Sequence, residues 1–217
     1  MKRWISSIAL LLLAQTALAH SHNLKSNVSA GSFAPTEALY VSPDTVPVYY
    51  LTVKQEEIKG FTGANLTKLK SALTILEKVV NSEEFKERVI NFKNKDGERA
   101  FASNKDMTNE EIYEHFMEGR EDLQHDTPYE MNYFLRLYKS PWYNPWSKVI
   151  GYTTPDSNVI NMNQKYFSSF KTWDVAGNLA HEWTHKIGFD HKSASEHDSA
   201  PYAIGYIVRE LAEKMSK

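Results

Sequence analysis

Three histidines and a glutamate carry the most specific chemical signal in the chain, within the segment His181-Glu182-Trp183-Thr184-His185-Lys186-Ile187-Gly188-Phe189-Asp190-His191. His181 and His185 stand four residues apart. On a helix this separates them by one turn and only about 40° around the axis, so both imidazoles face one point. Neutral imidazole is a ligand for zinc. Gly188 suits the left-handed conformation that ends a helix, and a chain that turns back there brings His191 to the same point. Three protein ligands leave the fourth position of a tetrahedral ion open, which marks a catalytic rather than a structural zinc site. Glu182 is rotated about 100° from His181. From there it can take a proton from a water acidified by the ion and return it to a leaving amine. That is the chemistry of amide hydrolysis. Glu210, on the last helical segment, is the alternative third ligand.

These side chains need a helix beneath them, and the sequence predicts one from Trp173 to Ile187. Val175, Leu179, Trp183 and Ile187 recur every four residues and form one apolar stripe. Thr172 is the expected N-cap, with Asp174 in the first turn. A loop of small and polar residues runs from Lys192 to Ala200, followed by a helix from Tyr202 to Met215. Tyr202 and Tyr206 on that helix are candidates to donate a hydroxyl to a developing oxyanion. Tyr206 is preferred, because it lies beyond the turn at Pro201.

Earlier segments read as scaffold. Val46 to Val53 is β-branched and aromatic, the composition of a strand. Leu66, Leu69, Leu73, Leu76 and Val80 have helical spacing, and Phe85, Val89 and Ile90 mark a second helix. Asn94 to Gly97 is a turn. Thr108 to Met117 starts with a capping-box pair, Thr108 and Glu111. Met131 to Tyr138 and Val149 to Tyr152 are strand candidates, joined by the aromatic loop Pro141 to Trp146. Asn158 to Asn163 alternates and is polar on one side, which suits a sheet edge or cleft rim. The fold class is therefore α+β: a small mixed β-sheet packed by helices, with the His181–His191 helix under a cleft and a short C-terminal part ending in a helix.

Composition narrows the function. The chain has 217 residues and a formal charge of −2, with no dense basic patch, so nothing points to nucleic acid. It has no cysteine. That excludes a thiol nucleophile, a thiolate metal site and thiolate latency. Residues 1–19 combine Lys2 and Arg3, an apolar run from Ile5 to Leu13, and the small-x-small sequence Ala17-Leu18-Ala19. This is the layout of a secretory signal peptide, and the apolar run is too short to span a bilayer. The expected organisation is a signal peptide over 1–19, a flexible leader over 20–45, and one domain over 46–217. The mature chain is then secreted or periplasmic, with no integral membrane span. Cleavage exposes His20-Ser21-His22, whose amine, backbone nitrogens and third-position imidazole suit a square-planar Cu(II) or Ni(II) site. Glu196-His197-Asp198 is a further candidate for a second ion, and His115 and His125 are isolated.

His181 to His191 resembles the zinc-binding consensus of the metzincin metallopeptidases, His-Glu-x-x-His-x-x-Gly-x-x-His. The resemblance implies Zn2+ held by His181, His185 and His191, Glu182 as general base, and a peptide or protein substrate lying extended in the cleft. It also implies that Asn158 to Asn163 is the edge strand that pairs with substrate. One element departs from the pattern. Metzincins carry a methionine turn beneath the metal, yet Met215 is the only methionine after His191. Ser199 to Tyr206 stands in its place. Two other classes of function stay open: a catalytically silent zinc-binding interaction module, and a copper-handling protein that uses His20. N-terminal sequencing of the exported protein is expected to begin at His20; an intact Met1 would refute the leader assignment.

Overall fold

The computed structural model describes residues 50–121, 128–140, 149–154, 157–193 and 196–217. The expected signal peptide and leader, the His20-Ser21-His22 terminus, the Pro141 to Trp146 loop and His125 lie outside these residues. The described residues fall within one compact unit that extends from Thr45 to Lys217.

The architecture is α+β, with helices packed against one mixed four-stranded sheet of order β1-β2-β4-β3. The strands are β1 (Thr52–Lys59), β2 (Glu130–Tyr138), β3 (Gly151–Tyr152) and β4 (Val159–Asn163). β1 and β4 flank β2 in parallel, and β3 pairs antiparallel with β4 through Gly151↔Met162 and Tyr152↔Asn161. Two sequence expectations shift here. The described part of the first strand runs from Thr52, residues 46–49 of the expected run lie outside the described residues, and its sequence TVKQEEIK is more polar than the run that suggested it. β1 tolerates this polarity because it is an edge strand. The polar strand Val159–Asn163 is not an edge: β3 covers it, and among the described residues the short β3 forms the margin.

The helices are α1 (Gly63–Val80), α2 (Glu83–Ile90), α3 (Asn109–Glu118), α4 (Gln164–Ser169), α5 (Thr172–Lys186) and α6 (Ala200–Met215). The parallel β1–β2 pair requires a long crossover, which α1, α2 and α3 supply. α3 begins with the expected capping box, Thr108 accepting from Glu111 N while Glu111 accepts from Thr108 N. The end of α1 fastens the start of the sheet. Glu77 accepts from Val53 N at 2.8 Å, and Asn81 exchanges bonds with both the amide and the carbonyl of Leu51. Lys68 donates to the carbonyls of Phe167, Ser168 and Phe170, where the short α4 ends.

The core lies where α1, α5 and α6 meet β2. Leu69, Leu73 and Leu76 pack with Val175, Leu179 and Trp183, and with Tyr133 and Leu135. All four stripe residues of α5 are fully buried. The N-cap of α5 is Lys171, one residue before the expected Thr172; Asp174 accepts from Lys171 N at 3.0 Å. Tyr133 Oη donates to Leu179 O at 3.0 Å, tying β2 to the middle of α5.

α5 and α6 cross at a pair of glycines. A Cβ on Gly177 would lie 2.7 Å from both Gly205 O and Arg209 Cβ. One on Gly205 would lie 3.0 Å from Gly177 O and 3.1 Å from His181 Cβ. This crossing brings α6 onto His181. Gly177→Ala is therefore expected to destabilise the protein by ~1–3 kcal/mol from overpacking, more than the ~1 kcal/mol that alanine gains in a helix. Denaturant unfolding measures the difference, and a stabilised variant would contradict the close crossing.

Candidate metal centre and cleft

α5 places His181 and His185 on one face, with ring centroids 5.0 Å apart. Ile187 caps the helix, and Gly188 takes φ +88°. The chain then reverses, with Phe189 N donating to Thr184 O at 2.9 Å. His191 thereby comes 5.4 Å from His181 and 5.0 Å from His185, ring to ring. One ligand atom from each residue lies within 4.8 Å of the others, close enough to hold a metal ion.

The rings are set by second partners. His185 Nδ1 lies 2.8 Å from Phe189 O. A carbonyl only accepts, so Nδ1 carries the proton and Nε2 keeps its lone pair for a ligand. The His181 ring bonds likewise to the Pro201 carbonyl at the start of α6. His191 Nδ1 is buried with no hydrogen-bond partner among the described residues. Burial, with the neighbouring His185 and His191, holds the His181 pKa down to about 3; burial also lowers that of His185. Both rings are therefore neutral at neutral pH, the form that ligates metal.

Glu182 is buried and points toward β3 rather than into the imidazole cluster. Its Oε2 accepts from Thr153 Oγ1 at 3.0 Å, and Asn178 and the Thr153 backbone add further bonds. Burial raises its pKa to about 7 against the lowering effect of these bonds. A Cβ on Gly151 would lie 3.2 Å from Glu182 Oε1, so a bare strand at that position leaves room for the carboxylate.

A cleft of about 930 Å³ opens over this group, between the margin at Ile150 to Thr154 and the face of α6 that carries Tyr202 and Tyr206. The two tyrosines differ. The Tyr202 ring sits 4.6 Å from both His181 and His191. Tyr206, the preferred candidate from sequence, lines the same cleft one turn away, 43% exposed, with its hydroxyl 3.3 Å from His197 Nδ1. The turn at Pro201 falls inside α6, so the first turn of that helix already faces the histidines.

The other sequence candidates are placed elsewhere. Glu210 pairs with Arg88 at 2.5 Å, away from the imidazoles. Glu196 accepts from Lys192 N and Ser103 Oγ, while Asp198 accepts from Lys95 N. Glu196, His197 and Asp198 thus turn to different partners. His115, given no role from sequence, donates from Nε2 to Ile187 O at 2.9 Å and supports the end of α5. Thr153, Asn178 and the Lys186–Glu121 ion pair were also missed; that pair is 2.8 Å long and buried beside the cleft, with Lys186 Nζ also donating to Asn132 O at 2.6 Å. Only the neighbouring helix position hinted at Asn178, four residues before Glu182.

No protein-family model matches the chain, and no curated protein matches it. Metal analysis of purified protein is expected to find about one ion per chain, lost in His191→Ala and retained in Glu210→Ala. Retention in the first variant and loss in the second would reassign the third ligand.

Proposed function

We propose that this chain is an exported zinc-dependent peptidase. The single observation that carries the reading is the convergence of His181, His185 and His191 beside a buried carboxylate, Glu182, on the floor of an open cleft. The donor set suits zinc: three imidazoles, two of them oriented by carbonyls, and a third whose buried Nδ1 has no hydrogen-bond partner among the described residues. A thiolate or all-oxygen ion is a poorer match to such a set.

A zinc ion held there supplies Lewis acidity toward a carbonyl and acidifies water beside it. The protein's own residues do the rest. Glu182 takes the proton of the attacking water and delivers it to the leaving nitrogen. Thr153 and Asn178 hold its carboxylate in position through the bonds described above. Tyr202, against two of the three imidazoles, donates its hydroxyl to the developing oxyanion. Burial raises the Tyr202 pKa, which keeps the phenol protonated for this task.

The substrate is a peptide or protein laid along the cleft. Val149, Ile150 and Tyr152, exposed on the margin, offer apolar contact, and β3 offers a strand edge. The spacing of the three histidines and the glycine before His191 resemble the metzincin pattern, and Tyr202 packs against His181 without a methionine there. Export rests on the layout of residues 1–19. Among the described residues no helix is long and apolar enough to cross a membrane.

Glu182→Gln tests the mechanism. The amide keeps the shape of the side chain but cannot accept the water's proton, and the imidazoles are untouched. Peptide cleavage is expected to fall by at least ~10²–10⁴-fold with zinc content unchanged. A zinc-loaded variant that cleaves at the wild-type rate would sink this role. Wild-type protein that binds zinc and cleaves nothing in a broad peptide library would favour the interaction module instead, and copper retained through the N-terminus would favour the copper-handling reading.

A further inference from the structure

The cleft continues past the imidazoles toward the N-terminal half of α5, and it ends at a charged pair. Arg209 Nε donates to Asp174 Oδ1 at 2.6 Å. Asp174 is itself fixed, because its Oδ2 accepts from Lys171 N at 3.0 Å. Both Asp174 and Arg209 line the cleft, together with Phe170 and Tyr206. We infer that Arg209 is a specificity-determining residue that binds a carboxylate of the substrate. This inference rests on the peptide-cleft reading above.

Placement supports it first. Tyr202, Tyr206 and Arg209 follow one another at helical spacing on one face of α6, and Asp174, Asn178, His181 and His185 do so on α5. Arg209 Cβ packs at Gly177, one turn before His181, and the guanidinium reaches Asp174, nearly two turns before it. The charge therefore lies level with Asp174, roughly 10 Å along the helix before His181 and about 16 Å before His185, at 1.5 Å per residue. An extended peptide covers those spans in about three to five residues.

Chemistry supports it second. Asp174 engages Nε, which leaves the two terminal amino groups of the guanidinium for a bidentate partner. Phe170 and Tyr206 give the stem of an acidic residue apolar walls. Overall charge works against a trivial explanation, because a chain of formal charge −2 repels carboxylates in general. Attraction at this end of the cleft would be local. The carboxylate can come from an aspartate or glutamate side chain, or from a peptide's C-terminus.

Binding is measured with zinc-loaded Glu182→Gln protein, which removes turnover, and with fluorescein-labelled peptide pairs. One pair differs only as C-terminal acid against amide, the other only as internal Glu against Gln. With Arg209 intact, one carboxylate member is expected to bind about tenfold tighter than its neutral twin, and the pair showing this identifies the source; with Arg209→Gln or Arg209→Met the gap closes to about twofold or less. Circular dichroism identifies the folded variant, and either one decides. Equal binding of both members in both pairs with Arg209 intact overturns the inference, as does a preference that survives loss of the guanidinium. Wild-type digestion of an unlabelled peptide library is read in parallel. Cleavage without carboxylate preference sinks the subsite alone. A preference lost with Arg209, but no cleavage, sustains the subsite and sinks the peptidase reading alone.

Discussion

The close crossing of α5 and α6 is the constraint on which the site depends. Two helices with ordinary side chains at their contact keep their axes 8–10 Å apart. Gly177 and Gly205 let the backbones touch, with the carbonyl of each only 2.7–3.0 Å from where the other's Cβ would be. Several consequences follow from that one contact. The Pro201 carbonyl reaches the His181 ring, Tyr202 reaches two imidazoles, and Arg209 lies across Gly177 to meet Asp174. A wider crossing would leave the histidines facing open solvent on one side.

α5 must also carry polar groups through a buried environment. Its apolar stripe packs on α1 and β2, yet Glu182 and Lys186 are almost wholly enclosed. Each has dedicated partners: Thr153 and Asn178 for the carboxylate, Glu121 and Asn132 O for the ammonium. A buried ion pair contributes little net stability over an apolar replacement. Its effect here is geometric. It fixes the last turn of α5 against β2 next to His185, while Tyr133 fixes the middle of the same helix against the same strand.

Much of this was legible in the sequence because it is local. Periodicity gave α1, α2 and α5, the Thr108–Glu111 pair gave the start of α3, and His-x-x-x-His with Gly188 gave the three converging imidazoles. What escaped is what depends on tertiary pairing. Residues 159–163 alternate like a margin strand, but only the sheet order reveals that two residues of β3 cover them. Which of Tyr202 and Tyr206 packs on the imidazoles turns on the rotation of α6, which no spacing discloses. Thr153 reaches Glu182 across 29 residues of chain, and Lys186 reaches Asn132 across 54. A lysine beside His185 reads as solvated until its partner is known.

The reversal after α5 is sewn to the body of the protein by its own bonds. Phe189 N returns to Thr184 O, Phe189 O holds the His185 ring, His115 holds the Ile187 carbonyl, and Glu196 joins Lys192 N to Ser103. The backbone that carries the third imidazole is thus held by bonds within the protein. A small zinc-dependent finger acquires its shape from the ion and loses both together. This architecture separates the two. An ion that bound there would meet three imidazoles already brought within 4.8 Å of one another by the fold and would have little left to organise. Chelation would then leave an intact but empty vessel, ready to be refilled.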